Sequence, residues 1–139
     1  MPGDPGIILT QLNRQGADVD RVRWIEKEGI RILLEDFSHL EPNEHFLDQL
    51  AVAKNIIHSQ KENSVLALFD ATGSRFNNEV LDEMKSFVNS NTPYIKAAAV
   101  VGIQGLLKIA LQAITRFSGR SFKVCSSREE ALDWLVTLK

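Results

Sequence analysis

Apolar residues along this chain fall into two rhythms: short unbroken or alternating runs, and longer stretches at helical spacing. Arg21 to Glu26 (RVRWIE) alternates, Lys27 to Gly29 supplies a turn, and Ile30 to Leu34 returns, which predicts a β-hairpin. From Pro42 the period becomes helical. Phe46, Leu50, Ala53 and Ile57 form one stripe beside Leu47 and Ile56, with Pro42 suited to the first turn and Glu41 and Glu44 favouring its dipole. Ser64 to Phe69 (SVLALF) is a buried strand that ends at Asp70, and Asp70 to Phe76 is a loop. Asn77 is placed to cap a helix whose stripe is Val80, Leu81, Met84, Phe87 and Val88, and Asn91 to Pro93 breaks it.

Ala97 to Val101 is a run of small and β-branched residues closed by Gly102, the pattern of a strand covered on both faces. Gly102 and Gly105 then lead into an expected helix that Gly119 ends. Its polar positions, Gln104, Lys108, Gln112, Thr115 and Arg116, gather in one arc. Its apolar arc, from Ile103 to Phe117, is about twice the roughly 100° a surface helix needs. Such a helix is either sandwiched or offers a second apolar face to a partner. Ser121 to Cys125 reads as an edge strand. Ser127-Arg128-Glu129-Glu130 matches a capping box before Ala131, Leu132, Trp134, Leu135 and Leu138. The order ββαβαβαβα makes this an α/β fold: a mixed, mostly parallel five-stranded sheet flanked by four helices through right-handed crossovers. Residues 1–20 open MPGDPG and hold only Ile7 to Leu9 as an apolar run. They read as a tail before a single domain over 21–139.

Charge adds one feature. The net charge is -2, which argues against a nucleic-acid partner, yet from Met84 to Arg128 inclusive there is no Asp or Glu and there are seven cations. Either folding mixes the charges or a basic face meets an anionic partner. A lone cysteine, Cys125, excludes an internal disulfide and an all-cysteine metal site, and reads as a small buried hydrophobe. The chain shows neither a signal peptide nor the ~20 uninterrupted apolar residues of a membrane span, so a cytoplasmic protein is expected, free or peripheral at a membrane.

In sheets of this kind ligands collect at the carboxyl ends of the strands. Two loops qualify. Asp70-Ala71-Thr72-Gly73-Ser74-Arg75 combines a carboxylate, two hydroxyls and a guanidinium. Gly102-Ile103-Gln104-Gly105 offers backbone N–H groups to an anion. Asp70 and Thr72 equally suit the internal hydrogen bonds of a turn. Neither loop is a phosphate loop or a dinucleotide fingerprint, so no cofactor is expected. His39, His45 and His58 are spaced by six and thirteen residues, not the four of a helical zinc pair, and read as surface histidines with no metal. Glu35 with Asp36, and Glu129 with Glu130, are sequence neighbours that point apart and make poor acid–base couples. There is no nucleophile elbow. Nothing assembles into catalysis, and an enzyme would need Asp70 in a real pocket with a displaced pKa.

The hairpin, the helix, the strand with its D-x-T-G loop, the KAAAVVG strand, the RFSGR segment and the terminal EEALDWL helix together resemble the SpoIIAA-like (STAS/SEC14-type) family over about Arg21 to Lys139. The resemblance implies a non-enzymatic regulatory or protein-binding domain and, in the SEC14 branch, binding of lipid or another apolar ligand. Regulatory members carry a phosphorylatable serine in an Asp-Ser-Ser-Gly motif at the start of the helix after the third strand. The stretch matched to it here, Phe76-Asn77-Asn78-Glu79-Val80, has no hydroxyl. Thr72 and Ser74 are the hydroxyls left to take a phosphate. The leading expectation is a protein-binding module contacting its partner through Asp70, Thr72, Ser74, Arg75, Gly102, Gln104 and Gly105. The alternative is a peripheral lipid or membrane-surface binder, or a homodimer, using Leu107, Lys108, Leu111 and Ile114.

Overall fold

A computed structural model describes residues 21–103 and 121–138. Within them lie β1 (Val22–Lys27), β2 (Ile30–Asp36), α1 (Glu44–His58), β3 (Val65–Asp70), α2 (Asn78–Asn91), a 3₁₀ turn (Thr92–Tyr94), β4 (Ile95–Val101), β5 (Ser121–Cys125) and α3 (Arg128–Val136). The five strands form one sheet in the order β1-β2-β3-β4-β5. β1 pairs with β2 antiparallel and every later pair is parallel. The mixed, mostly parallel sheet is therefore present, with three of the four expected helices. The fourth, over Ile103 to Phe117, lies outside the described residues.

Local chemistry explains the boundaries. The hairpin turns through Glu28 (φ 53°) and Gly29 (φ 79°), the two left-handed positions that suit the twist of paired strands. α1 starts at Glu44 and not at Pro42, because Asn43 is extended and its side chain accepts from the backbone N–H of His45 and Phe46. Asn77 caps α2 as expected, accepting from Val80 N. At α3 the capping box is shifted. Ser127 Oγ accepts from Glu130 N at 3.1 Å, but the Glu130 carboxylate reaches Ser126, taking its N–H at 2.9 Å and its hydroxyl at 2.7 Å.

Because the strands are consecutive and the crossovers right-handed, α1 and α2 share one face of the sheet. There Leu33, Ala67, Phe69, Ala98 and Val100 meet Phe46, Leu50, Ala53, Ile57, Met84 and Phe87. On the other face Ile32, Leu34, Leu66, Leu68, Ala97, Ala99 and Val101 meet Ala131 and Leu135 of α3. Strands covered on both faces read as continuous apolar runs, which is the pattern found in β3 and β4.

Phe37 ties the first core together. It follows β2 directly, is fully buried, stacks on Phe69 with centroids 4.6 Å apart and meets Phe46 at 5.3 Å. Phe37→Ala is expected to cost about 3–5 kcal/mol, the usual range for emptying a buried aromatic site. Urea unfolding checks this, and a loss below about 1 kcal/mol would show the site to be unimportant.

Candidate functional site

Strand alternation decides what stands at the carboxyl edge of the sheet. Ile32, Leu34 and Asp36 share one face of β2, and Leu66, Leu68 and Asp70 share the same face of β3. Asp36 and Asp70 are register partners, so two carboxylates sit side by side on the face that α3 covers. Arg128, the first residue of α3, lies between them. Its Nε donates to Asp70 Oδ2 at 2.6 Å and its outer nitrogen lies 3.1 Å from Asp36 Oδ1.

Each carboxylate also holds the loop that follows it. Asp70 Oδ1 accepts from Thr72 N at 2.9 Å and Thr72 Oγ1 at 2.6 Å. Asp36 Oδ1 accepts from Ser38 N at 3.1 Å and Ser38 Oγ at 2.5 Å. Arg21 closes the cluster by donating to the backbone carbonyls of Asp36 and Ser38, both at 3.0 Å. Burial alone would push both carboxyls up. The hydrogen bonds from Ser38 and Thr72 together with Arg128 outweigh it and hold both below their ordinary 3.8. Burial disfavours the charged Arg128, and the two aspartates reverse this and raise its pKa.

The two loops are also laced to each other. Phe37 N donates to Asp70 O and His39 N to Thr72 O, each at 2.8 Å, and Arg75 N donates to Leu40 O at 2.9 Å. Ser74 Oγ donates to Phe37 O, and Asn77 Nδ2 to Pro42 O. β4 joins through Ala71 N to Val101 O at 2.8 Å. Glycine is required at two contacts. Gly73 (φ 70°) lies under the His39 ring, and a Cβ on Gly102 (φ 78°) would fall 2.4 Å from Thr72 N.

The expected site residues divide accordingly. Asp70 is 5% exposed and accepts hydrogen bonds at both oxygens. Ser74 is half-buried with its hydroxyl turned inward. Thr72 is exposed, and Arg75, 74% exposed at its side chain, pairs with Glu41 at 3.5 Å. Gly102 is half-buried. Gln104, Gly105, Leu107, Lys108, Leu111 and Ile114 lie outside the described residues. Sequence reasoning missed Asp36, Ser38 and Arg128. A signal was present: the strand-ending Asp36-Phe37-Ser38 and Asp70-Ala71-Thr72 are the same Asp-x-Ser/Thr turn twice.

His58 is exposed, as expected, and also pairs its Nε2 with Asn91 Oδ1 at 3.0 Å and lies tilted against Tyr94 at 4.7 Å, joining the ends of α1 and α2. Cys125 is buried, and burial with the nearby Glu130 pushes its thiol up, as fits a small hydrophobe. Among the described residues no three of His, Cys, Asp or Glu are grouped to hold a metal ion, and no helix is long and apolar enough to cross a membrane. A cavity of about 40 Å³ between the sheet and α2 is bordered by Glu35, Met84, Phe87 and Asn91.

No family model matches the sequence, and no curated protein matches it. Solved structures do. An uncharacterised protein of the DUF3478 family with a SpoIIAA-like fold, from Shewanella loihica, superposes with a TM-score of 0.66 at 18% identity, over 82% of this chain and 91% of that one. The chain therefore has a SpoIIAA-like α/β fold.

Two outcomes are expected. Both aspartates have folded pKa values below the unfolded ones, so their pairing stabilises the fold above the ordinary carboxyl value and is lost as pH falls through the folded values. Urea midpoints should hold steady toward neutral pH and drop once the pH falls below about 3.8. Asp70→Asn should flatten that acid limb, and an unchanged limb would remove Asp70 from the account. Gly102→Ala should cost about 1–3 kcal/mol, because it adds left-handed strain to a backbone clash at Thr72. A melting temperature equal to wild type would show that the loop yields freely.

Proposed function

We propose that this chain is a non-enzymatic STAS-like module that binds a protein partner through the surface formed by loops 37–43 and 71–77 with Gly102. The observation that carries this reading is the lacing of the two loops. Their polar groups are satisfied by one another, so the surface is stiff and little ordering entropy is lost on docking. Thr72 and Arg75 stand exposed on it. A non-catalytic role is supported by the burial of Asp70 and by the hydrogen bonds that both its oxygens already accept within the chain. Of the two hydroxyls considered for regulation by phosphate, that of Thr72 belongs to an exposed residue and is bound to Asp70 Oδ1, and that of the half-buried Ser74 is bound to Phe37 O.

The reading is tested by capturing partners from native extract on the wild-type chain and on Thr72→Arg and Arg75→Glu variants with unchanged melting temperatures. The captured protein is then titrated directly against all three. A partner for this surface should lose at least about tenfold in affinity to one variant, the effect of a single moderate hot spot. Equal affinity for all three proteins would place the interface elsewhere.

A further inference from the structure

Arg128 stands 58 residues from Asp70 in sequence, yet one guanidinium spans the carboxylates that end two neighbouring strands. Each carboxylate uses an oxygen to fix the amide and hydroxyl of the residue two positions on, Ser38 in one loop and Thr72 in the other. The guanidinium is itself set by α3. The Ser126–Glu130 and Ser127–Glu130 bonds fix the start of that helix, and Ala131 and Leu135, both fully buried, seat it against the sheet. We propose that Arg128 is the positioning residue of the loop surface, coupling the C-terminal helix to the conformation of both Ser38 and Thr72.

Adjacent parallel strands run about 4.8 Å apart, so without Arg128 the register-paired carboxylates repel at short range, offset only on the Asp36 side by Arg21 at 3.9 Å. The least costly relief is for the carboxylates to turn apart or be hydrated, and either motion strips the hydrogen bonds from the two loop residues. Lysine cannot substitute. Its ammonium is a compact point charge, whereas the planar fork of arginine addresses both carboxylates from one position. A shift of α3 along or away from the sheet moves the guanidinium and so reaches both loops at once. Only the use of this coupling in recognition rests on the function proposed above.

The test is amide hydrogen exchange, followed residue by residue by NMR, in wild type, Arg128→Lys and Arg128→Met. Lys27→Met serves as a control, because it removes the Lys27–Asp133 contact between β1 and the same helix. In Arg128→Met the Ser38 and Thr72 amides should exchange about tenfold faster or more, the scale of a lost charge-assisted hydrogen bond, while Leu68 and Val100 in the sheet stay protected. Arg128→Lys should keep protection at one loop at most, and Lys27→Met should leave both loops as in wild type. If Arg128→Met does not fold, the charge-conserving lysine variant carries the test alone. Unchanged Ser38 and Thr72 exchange in both variants, or acceleration shared equally with Leu68 and Val100, overturns the proposal. The assay contains no partner, so failure to find one leaves this result standing, and failure here leaves the binding surface to be judged by its own affinities.

Discussion

Two like charges in register at the ends of adjacent parallel strands are the constraint on which this edge of the molecule depends. Asp36 and Asp70 are partners across the β2–β3 ladder and face the same side of the sheet. Neutralising one by protonation would forfeit the hydrogen bonds its ionised oxygens accept. The fold instead supplies a guanidinium from a third element and hydroxyl and amide donors from the loops themselves. The arrangement is reciprocal: the hydrogen bonds from Ser38 and Thr72, with Arg128, favour the ionised aspartates, and the ionised aspartates hold the two loop residues. Loss of Arg128 removes the cation that Asp70 pairs with, the costly way to break such a cluster.

Strand order explains why the loops gather at this edge. The strands follow one another across the sheet, and the two crossovers described run the same way, so α1 and α2 share a face and α3 takes the other. With helices covering both faces, the loops at the carboxyl ends of β2, β3 and β4 are gathered at one rim. Here the rim is laced by backbone hydrogen bonds and close glycine contacts, not left as separate flexible turns. The SpoIIAA-like likeness rests on the arrangement of the elements, and a shared fold at that distance does not carry a shared activity. Function has to be argued from particular side chains.

Much of the fold was legible because it rests on local rules. The switch from alternating to helical spacing located α1, the unbroken runs located β3 and β4, and Asn77 and Ser127 marked two helix starts through their own side chains. Errors of boundary arose where a competing local interaction won. Asn43 capped α1 and displaced Pro42 from its first turn, and β2 ran on to Asp36 because pairing with Asp70 extends the ladder past the apolar run. His58 is exposed as expected, but its pairing with Asn91 was not legible, because the two are brought near only when the ends of α1 and α2 meet.

The sequence by itself determined the class of the fold, the alternation of strands and helices, and the choice of Asp70 and Thr72 as turn-forming residues, since periodicity, capping and turn chemistry act over a few residues. Only the tertiary structure decided that Asp36 would stand beside Asp70 and that Arg128 would lie between them. Those contacts depend on strand register and on which face α3 covers, quantities fixed by the burial of whole strand faces rather than by any short stretch of chain. Ionic partners separated by tens of residues carry no local signature, and only register and burial bring these three charges together.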